Sequence, residues 1–145
     1  MKARKFIDEI QHTDIIAAIR AAEMKTSGEI RVFVSRKPVD DAVAAAQAHF
    51  VRMGMEKTRD RNAVLIFVAP RVRKFAIAGD TAVHEKCGES FWRETAAEMS
   101  HHFRESQFTR GIVHGIQKAG ALLAAHFPRR SDDKNELSDD VGVEG

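Results

Sequence analysis

The chain has 145 residues, 43% of them hydrophobic, which suits one domain with a closed core and excludes two large independent domains. Its net charge of +2 hides a division, because residues 131–145 carry six Asp/Glu against Lys134 alone, whereas residues 1–130 carry 22 Lys/Arg and 15 Asp/Glu. We therefore predict an α/β domain of net charge +7 over residues 1–130 and an acidic, disordered tail of net charge −5 over residues 131–145.

Cysteine usage and hydropathy narrow the expected compartment. Cys87 is the only cysteine, so the chain can form neither an internal disulfide nor a cysteine-rich zinc site, and a reducing compartment is expected. The basic N-terminus is followed by Asp8 and Glu9 rather than by the apolar stretch of a secretory signal. The longest apolar run covers residues 63–69, far short of the roughly 20 residues that cross a bilayer. These features predict a cytoplasmic protein without a transmembrane segment.

The first half of the domain alternates between helical and strand patterns. Apolar residues at three- and four-residue spacing predict a helix over 14–24, and the alternation that follows predicts a strand over 29–36. Pro38 and the aspartates after it open a second predicted helix that ends near Lys57. The continuously apolar residues 62–69 are typical of a central strand that is covered on both faces and lies parallel to the first strand.

The second half begins with a strand that returns antiparallel to the central one, after a tight turn at Pro70-Arg71. The remaining predicted elements are this returning strand over 72–78, a short helix from its cap at Asp80 to Cys87, and helices over 89–105 and 109–127. The last helix contains three glycines that favour close packing. The order of elements predicts a three-layer α/β/α sandwich with a small mixed β-sheet flanked by helices.

The predicted topology brings three carboxylates to one edge of the sheet. If the two central strands form a hairpin, Asp60 lies near Asp80, and Glu29, at the start of the first parallel strand, falls at the same edge. Carboxylate and carbonyl oxygens are the ligands that Ca²⁺ and Mg²⁺ prefer. We therefore expect Glu29, Asp60 and Asp80 to hold Ca²⁺ or Mg²⁺, and His84 or Glu85 to add a ligand or an acid–base group.

Each of these carboxylates also has a purely structural interpretation. Asp80 suits an N-cap, which stabilises a helix by about 0.5–2 kcal/mol. Glu29 suits a solvated strand start, and Asp60 can pair with Arg59 or Arg61. Both interpretations remain open at the level of the sequence.

The opposite edge of the predicted sheet is basic. Ser35, Arg36, Lys37, Arg71 and Arg73 gather where the carboxyl ends of the parallel strands meet. Ligands of open α/β sheets usually bind at this edge, and its charge suits a phosphate or an acidic partner. No glycine-rich phosphate loop is present, so solvated arginines are the competing interpretation. We also hypothesise that the acidic tail folds back over this edge and masks it.

Seven short segments of the sequence form a recognisable set: residues 26–30 (TSGEI), 57–66 (KTRDRNAVLI), 73–77 (RKFAI), 79–80 (GD), 84–86 (HEK), 91–92 (FW) and 125–128 (AHFP). Together they resemble the TPM domain family, named for thylakoid-phosphatase-like founding members. The resemblance extends over roughly residues 12–128. It implies an α/β/α sandwich, an acidic cleft that binds divalent cations and, for some members, acid phosphatase activity. Chloroplast relatives are linked to photosystem maintenance, an animal relative to a membrane receptor, and many bacterial members are membrane-anchored.

The positions that match the acidic cleft of the family are Asp60 and Asp80, with Glu29 nearby. Two departures affect this resemblance. Asn62-Ala63 stands where similar sequences usually have Asn-Gly, and Ser106-Gln107 stands where Gly-Asp is common, which removes a carboxylate. The acidic tail also takes the place of the C-terminal transmembrane anchor that is common in the family.

Two functions are consistent with these features. The preferred one is a divalent-cation-binding interaction or accessory module for an unidentified protein partner, such as a membrane-associated one. The alternative is a weak metal-dependent acid phosphatase, a phosphomonoester hydrolase in which the metal polarises the phosphoryl oxygen and Asp60 or Asp80, the candidate catalytic residues, activates water. The module is preferred because no nucleophile motif is present. Basic residues are spread over every element without a recognition helix, so specific nucleic-acid binding is not expected.

Overall fold

The structure is a computed structural model that describes residues 12–129 and 142–144. Its regular elements in chain order are helix α1 (His12–Glu23), strand β1 (Glu29–Ser35), helix α2 (Ala42–Arg52), strand β2 (Ala63–Ala69), strand β3 (Lys74–Gly79), helix α3 (Thr81–Cys87), helix α4 (Glu89–Arg104), helix α5 (Phe108–His126) and strand β4 (Gly142–Glu144). Short 3₁₀ turns occur at Met55–Lys57 and Pro70–Val72.

The strands form one mixed sheet in the order β3-β2-β1-β4. Strand β1 is parallel to β2, with Glu29 opposite Ala63, and helix α2 provides the connection between them. Strand β3 returns antiparallel to β2, with Gly79 opposite Val64. The predicted hairpin and the predicted parallel pair are therefore both confirmed, and this register decides which loops meet at each end of the sheet.

Two apolar cores cover the two faces of the sheet. On one face, side chains of β1 and β2 pack against α1, α4 and α5, as in the group Ile19, Val32, Ile66, Met99 and Ile116. On the other face, Phe67 and Leu65 pack against α2 and the 3₁₀ turn that follows it. The predicted α/β/α sandwich is confirmed, and the burial of every residue of β2 follows from this two-sided cover.

Two predicted boundaries are corrected by the backbone. Helix α2 ends at Arg52, not near Lys57, because Gly54 adopts a left-handed conformation (φ 73°) that starts the 3₁₀ turn at Met55. The turn after β2 is also longer than Pro70-Arg71 predicts. A 3₁₀ turn occupies Pro70–Val72 and Arg73 takes a left-handed conformation (φ 55°), so β3 begins only at residue 74.

The outer edge of β1 is covered by side-chain hydrogen bonds near its start and by strand pairing near its end. Near its start, the backbone N–H of Ile30 donates to Glu23 Oε2 (2.9 Å), and the Arg31 guanidinium donates to the carbonyl of Ile30. Near its end, Phe33–Ser35 pair with β4. Gly142–Glu144 are therefore extended and paired within the segment for which disorder was predicted, while the predicted disorder of 131–141 and 145 lies outside the described residues. Together these two sets of contacts cover a sheet edge that would otherwise be open to pairing with another chain.

Helices α4 and α5 approach closely at two glycines. A Cβ at Gly115 would lie 2.6 Å from Met99 Sδ, and one at Gly111 would lie 2.6 Å from Cε1 of Phe103. Such distances leave no room for a side chain, so the glycines allow the contact that the sequence predicts. This packing fixes the position of Phe103, which lies at the basic end of the sheet.

Candidate functional site

The acidic end of the sheet is built around Ala63, the first residue of β2. Glu29 lies opposite Ala63 in the parallel register, and the N–H of Asp80 donates to the carbonyl of Ala63 (3.0 Å). Glu29 and Asp80 are therefore brought to the same end of the sheet, as the topology predicts. Asp60 lies in the preceding loop and is half-buried.

Asp80 caps helix α3. Its backbone is extended (φ −73°, ψ 175°), and its Oδ1 accepts a hydrogen bond from the N–H of Thr81 (2.7 Å). Only 5% of the residue is exposed. The predicted N-cap is thus confirmed, and the cap fixes a buried carboxylate at the acidic end of the sheet.

The charge of Asp80 is compensated by Arg61. The guanidinium donates from Nε to Oδ2 (2.8 Å) and from Nη2 to Oδ1 (2.9 Å), which is a bidentate pair. The hydrogen bond to Asp80 raises the pKa of Arg61 above its ordinary value. Arg61 reaches Asp80 from a left-handed backbone conformation (φ 53°), and 48% of its side chain is exposed.

Glu29 belongs to a buried network rather than to a solvated strand start. It is 3% exposed, and its Oε1 lies 3.9 Å from Nη2 of Arg31. Nη1 of Arg31 in turn lies 2.7 Å from Oε2 of Glu23 at the end of α1. The interpretation of Glu29 as solvated is wrong because both faces of β1 are covered, which leaves a charged side chain no route to water.

Neutral polar groups complete the acidic end. The Asn62 amide donates from Nδ2 to the Ser27 hydroxyl (3.1 Å), which joins the start of β2 to the loop before β1. Thr58 is buried, and its Oγ1 has no hydrogen-bond partner within residues 12–129 and 142–144. Ser27, Thr58 and Asn62 all come from segments that resemble the TPM domain.

The donor atoms match the chemistry of a hard cation, but they are not assembled around one. Asp80 uses both carboxylate oxygens on Arg61, and Glu29 faces Arg31. Over the described ranges, no group of three or more His, Cys, Asp or Glu side chains is arranged to hold a metal ion. His84 and Glu85 are exposed on α3. The acidic end is therefore compensated by arginines, which the expectation of a cation site did not include.

The basic end of the sheet contains a cavity of about 420 Å³. Of the five residues expected at this edge, Arg73 lines the cavity, while Ser35, Arg36, Lys37 and Arg71 do not. Lys74 and Arg104 are the other cationic residues of the described chain that line the cavity. Sequence reasoning missed Arg104, because the end of the sheet that the last turn of this helix reaches depends on how α4 packs against the strands.

Comparisons with known proteins agree with this architecture. A model of the TPM domain family matches residues 1–122. The BA42 protein of the psychrophilic bacterium Bizionia argentinensis has an NMR structure that matches this chain with a TM-score of 0.85 and 34% identity, over 94% of this chain and 96% of that one. The N-terminal domain of a protein from P. gingivalis has the same fold at 14% identity, with a TM-score of 0.59 over 77% and 72% of the two chains. A search of curated proteins found no match.

The sandwich and its two charged ends place the protein among α/β proteins that have a small mixed sheet between helical layers. More particularly, the chain belongs to the TPM domain family. No helix within residues 12–129 is long and apolar enough to span a membrane.

Proposed function

We propose that this TPM domain protein is an interaction or accessory module that binds Ca²⁺ or Mg²⁺ at its acidic end, by exchange with the Arg61 guanidinium on Asp80. One observation carries the proposal. A carboxylate that is 5% exposed is compensated by a guanidinium whose side chain is 48% exposed. A buried charge needs a partner, but a partner that lies half in water is able to leave and be replaced.

The arrangement around Asp80 favours exchange over a permanent pair. Arg61 lies in a loop, whereas Asp80 is held by the first turn of α3 and by the backbone of β2. A divalent cation would therefore find the carboxylate already positioned. Asp60, next to Arg61 in the chain, and Glu29, buried at the same end, are the further carboxylates that we propose as ligands, in exchange for their present contacts.

Calcium titration of the full chain, followed by amide NMR and by melting temperature, tests this proposal. We expect saturable shifts at the amides of Arg61 and Thr81, and loss of the response in Asp80→Asn, which keeps an N-cap oxygen. Arg61→Gln should bind Ca²⁺ more tightly than the wild type, because the competing cation is removed. Asp41→Asn is the matched control, since Asp41 is also an aspartate N-cap, at the start of α2, where it accepts hydrogen bonds from the N–H groups of Val43 and Ala44.

The Arg61 variant decides between the exchange proposal and a purely structural pair. If Arg61→Gln lowers the melting temperature and neither it nor the wild type responds to Ca²⁺ or Mg²⁺, the acidic end is structural and the proposal is wrong. If Asp80→Asn responds like the wild type, the cation binds elsewhere and the proposal is equally wrong.

The acid phosphatase alternative has less support. It needs Asp60 or Asp80 to activate water, and both oxygens of Asp80 already accept hydrogen bonds from Arg61. If the protein is a phosphatase, phosphomonoester turnover must require Ca²⁺ or Mg²⁺ and must vanish in Asp60→Asn and Asp80→Asn. Turnover that survives in both variants would count against this alternative.

The compartment and the partner belong to the same proposal. A single cysteine supports a reducing, cytoplasmic location. The partner that we propose is a protein, such as a membrane-associated one, that the cation-loaded acidic end recognises. Pull-down from cell extract with wild type and Asp80→Asn, each with and without Ca²⁺, should recover that partner only with the wild type in Ca²⁺.

A further inference from the structure

The cavity at the basic end is distinct from the acidic end and lies at the opposite end of β2. Val68, the second-last residue of β2, and Phe75, at the start of β3, contribute to its wall from the sheet. Helix α4 contributes Phe103 and Arg104 from its last turn, and α5 contributes Phe108 from its first. The cavity therefore lies where the sheet, the end of one helix and the beginning of another meet.

Its apolar wall is largely aromatic. Phe75 and Phe103 meet edge to face, with ring centroids 5.3 Å apart, and Phe108 lies 6.4 Å from Phe103. Gly111 leaves the space into which Phe103 fits. Such a wall offers stacking and apolar contact to a ring or a short alkyl chain.

The polar wall is cationic. Arg73, Lys74 and Arg104 line the cavity, and among residues 12–129 and 142–144 no Asp or Glu belongs to its lining. Lys74 Nζ donates to the carbonyl of Asp40 (2.7 Å). Within the described part of the chain, the guanidiniums of Arg73 and Arg104 make no ion pair and no side-chain hydrogen bond. Two arginines that are free to donate, close to a third cation, attract an anion with several oxygens.

We infer that this cavity binds a small organic phosphate whose apolar or aromatic body lies against the phenylalanines and whose phosphate lies between Arg73 and Arg104. The volume of about 420 Å³ lies in the range of small-molecule sites, which combine apolar walls with a few converging polar groups. Ser100 and Ser106 add hydroxyls to the same lining. A free inorganic phosphate would use the arginines but leave the aromatic wall uncovered.

Phenylphosphonate is the probe for this inference, because it presents a phosphate-like dianion on a ring and cannot be hydrolysed as a phosphomonoester. Titrated into the full chain, it should give saturable amide shifts at Lys74, Ser106 and Phe108. Inorganic phosphate should bind about tenfold more weakly, because it buries no ring. Benzyl alcohol, which has the ring without the charge, should cause no comparable shifts.

Matched arginine variants locate the anion. Arg73→Gln and Arg104→Gln should each weaken phenylphosphonate binding by about tenfold or more, which is the usual cost of losing a charged hydrogen bond. Arg71→Gln is the control. It removes the same charge from an exposed residue that does not line the cavity. Ser100→Phe should block binding by filling the cavity without changing any charge. Melting temperatures check that each variant is folded.

Four results would overturn the inference. Phenylphosphonate could cause no saturable shifts, or Arg71→Gln and Arg73→Gln could weaken its binding equally. The protein could also bind phenylphosphonate and inorganic phosphate with equal affinity, or bind only to vesicles of phosphatidylcholine with phosphatidic acid. The last result would make the basic end a membrane-contact surface instead. The test is independent of the cation proposal, because Asp80→Asn should bind phenylphosphonate like the wild type.

Discussion

The two ends of the sheet differ in how their charges are compensated. At the acidic end, the buried carboxylates of Glu23, Glu29 and Asp80 each face an arginine of the same domain. At the basic end, Arg73 and Arg104 surround a cavity and face no carboxylate of the described chain. Both ends are rich in charge, but among the described residues the basic end combines a cavity with donors that no carboxylate compensates.

This comparison shows that the number of like charges at an edge is a poor guide to a ligand site. A buried carboxylate without a cationic partner destabilises the fold, so buried carboxylates are usually paired with cations of the same chain. A cluster of acidic residues is therefore often a structural network that needs no ligand. Exposed arginines require no such partner because water solvates them. What distinguishes a ligand site at such an edge is a concave apolar wall beside the free donors.

Substitution of Arg31 should produce the largest effect and break the acidic end. Arg31→Met removes the cation that faces Glu23 and Glu29 while keeping an unbranched side chain. Because two carboxylates then lie buried without it, we expect the free energy of unfolding to fall by about 3–5 kcal/mol. Urea denaturation measures this loss.

Arg36→Met is the control for Arg31, because Arg36 is exposed just after the same strand and should change stability by less than about 0.5 kcal/mol. The double variant Glu23→Leu with Arg31→Met should recover part of the loss. A fall below about 1 kcal/mol in the single variant would contradict the assignment of a required buried pair.

A carboxylate introduced at the basic end should make it resemble the acidic one. Gln107 occupies the N-cap position of α5 but makes no capping hydrogen bond with its side chain. Gln107→Asp should therefore stabilise the fold by about 1 kcal/mol, while its charge weakens phenylphosphonate binding at the neighbouring cavity. Thermal unfolding and NMR titration measure the two effects.

Gln107→Asn separates the two contributions, since asparagine caps a helix without adding charge. It should stabilise the fold in a similar way and leave phenylphosphonate affinity unchanged. If the Asn and Asp variants weaken binding equally, the loss comes from a change of shape and not from charge.

Removal of residues 131–145 should increase anion binding at the basic end, an effect smaller than those of the substitutions above. Deletion leaves the +7 domain and uncovers the end of β1, where Val34 pairs with Val143. Phenylphosphonate affinity should rise by a few-fold at most at low salt and be unchanged at high salt, because tail charges act through solvent. A tail with Asn and Gln in place of its acidic residues is the control, and it should match the deletion in affinity. An equal gain at high salt would contradict the electrostatic explanation.

Much of the fold could be predicted because it depends on local patterns. The apolar run of β2, the alternation of β1 and the cap at Asp80 each define an element through its own residues. The left-handed residue Arg73 could not be predicted, since arginine has no preference for that conformation and the hairpin geometry imposes it. Pairing of β4 with β1 was also missed, because a three-residue strand has no usable periodicity.

The candidate sites were harder to predict than the fold. The register brought Glu29 and Asp80 to one end as expected, but the sequence did not indicate that Arg31 lies buried between Glu29 and Glu23. A charged residue in an alternating strand is normally assigned to the solvent face, and that rule fails in a sheet with two covered faces. Arg104 could not be assigned to the basic end without the packing of α4 on the sheet.

The smallest expected effect concerns Glu98, which pairs with Nε2 of His114 between α4 and α5. The hydrogen bond with His114 lowers the pKa of Glu98 below its ordinary value of 4.5. A carboxyl group whose pKa is lower in the folded state stabilises the fold above its unfolded pKa, and this contribution is lost as the pH falls through the folded pKa. The difference in unfolding free energy between wild type and Glu98→Gln should therefore shrink as the pH falls below 4.5 and through the folded pKa of Glu98. Glu94→Gln, at an exposed position of the same helix, controls for the loss of one charge. A difference that stays constant or widens on acidification would mean that the pair does not couple to folding, and that apolar packing such as the contacts of Met99 and Phe103 with the glycines of α5 holds α4 and α5 together.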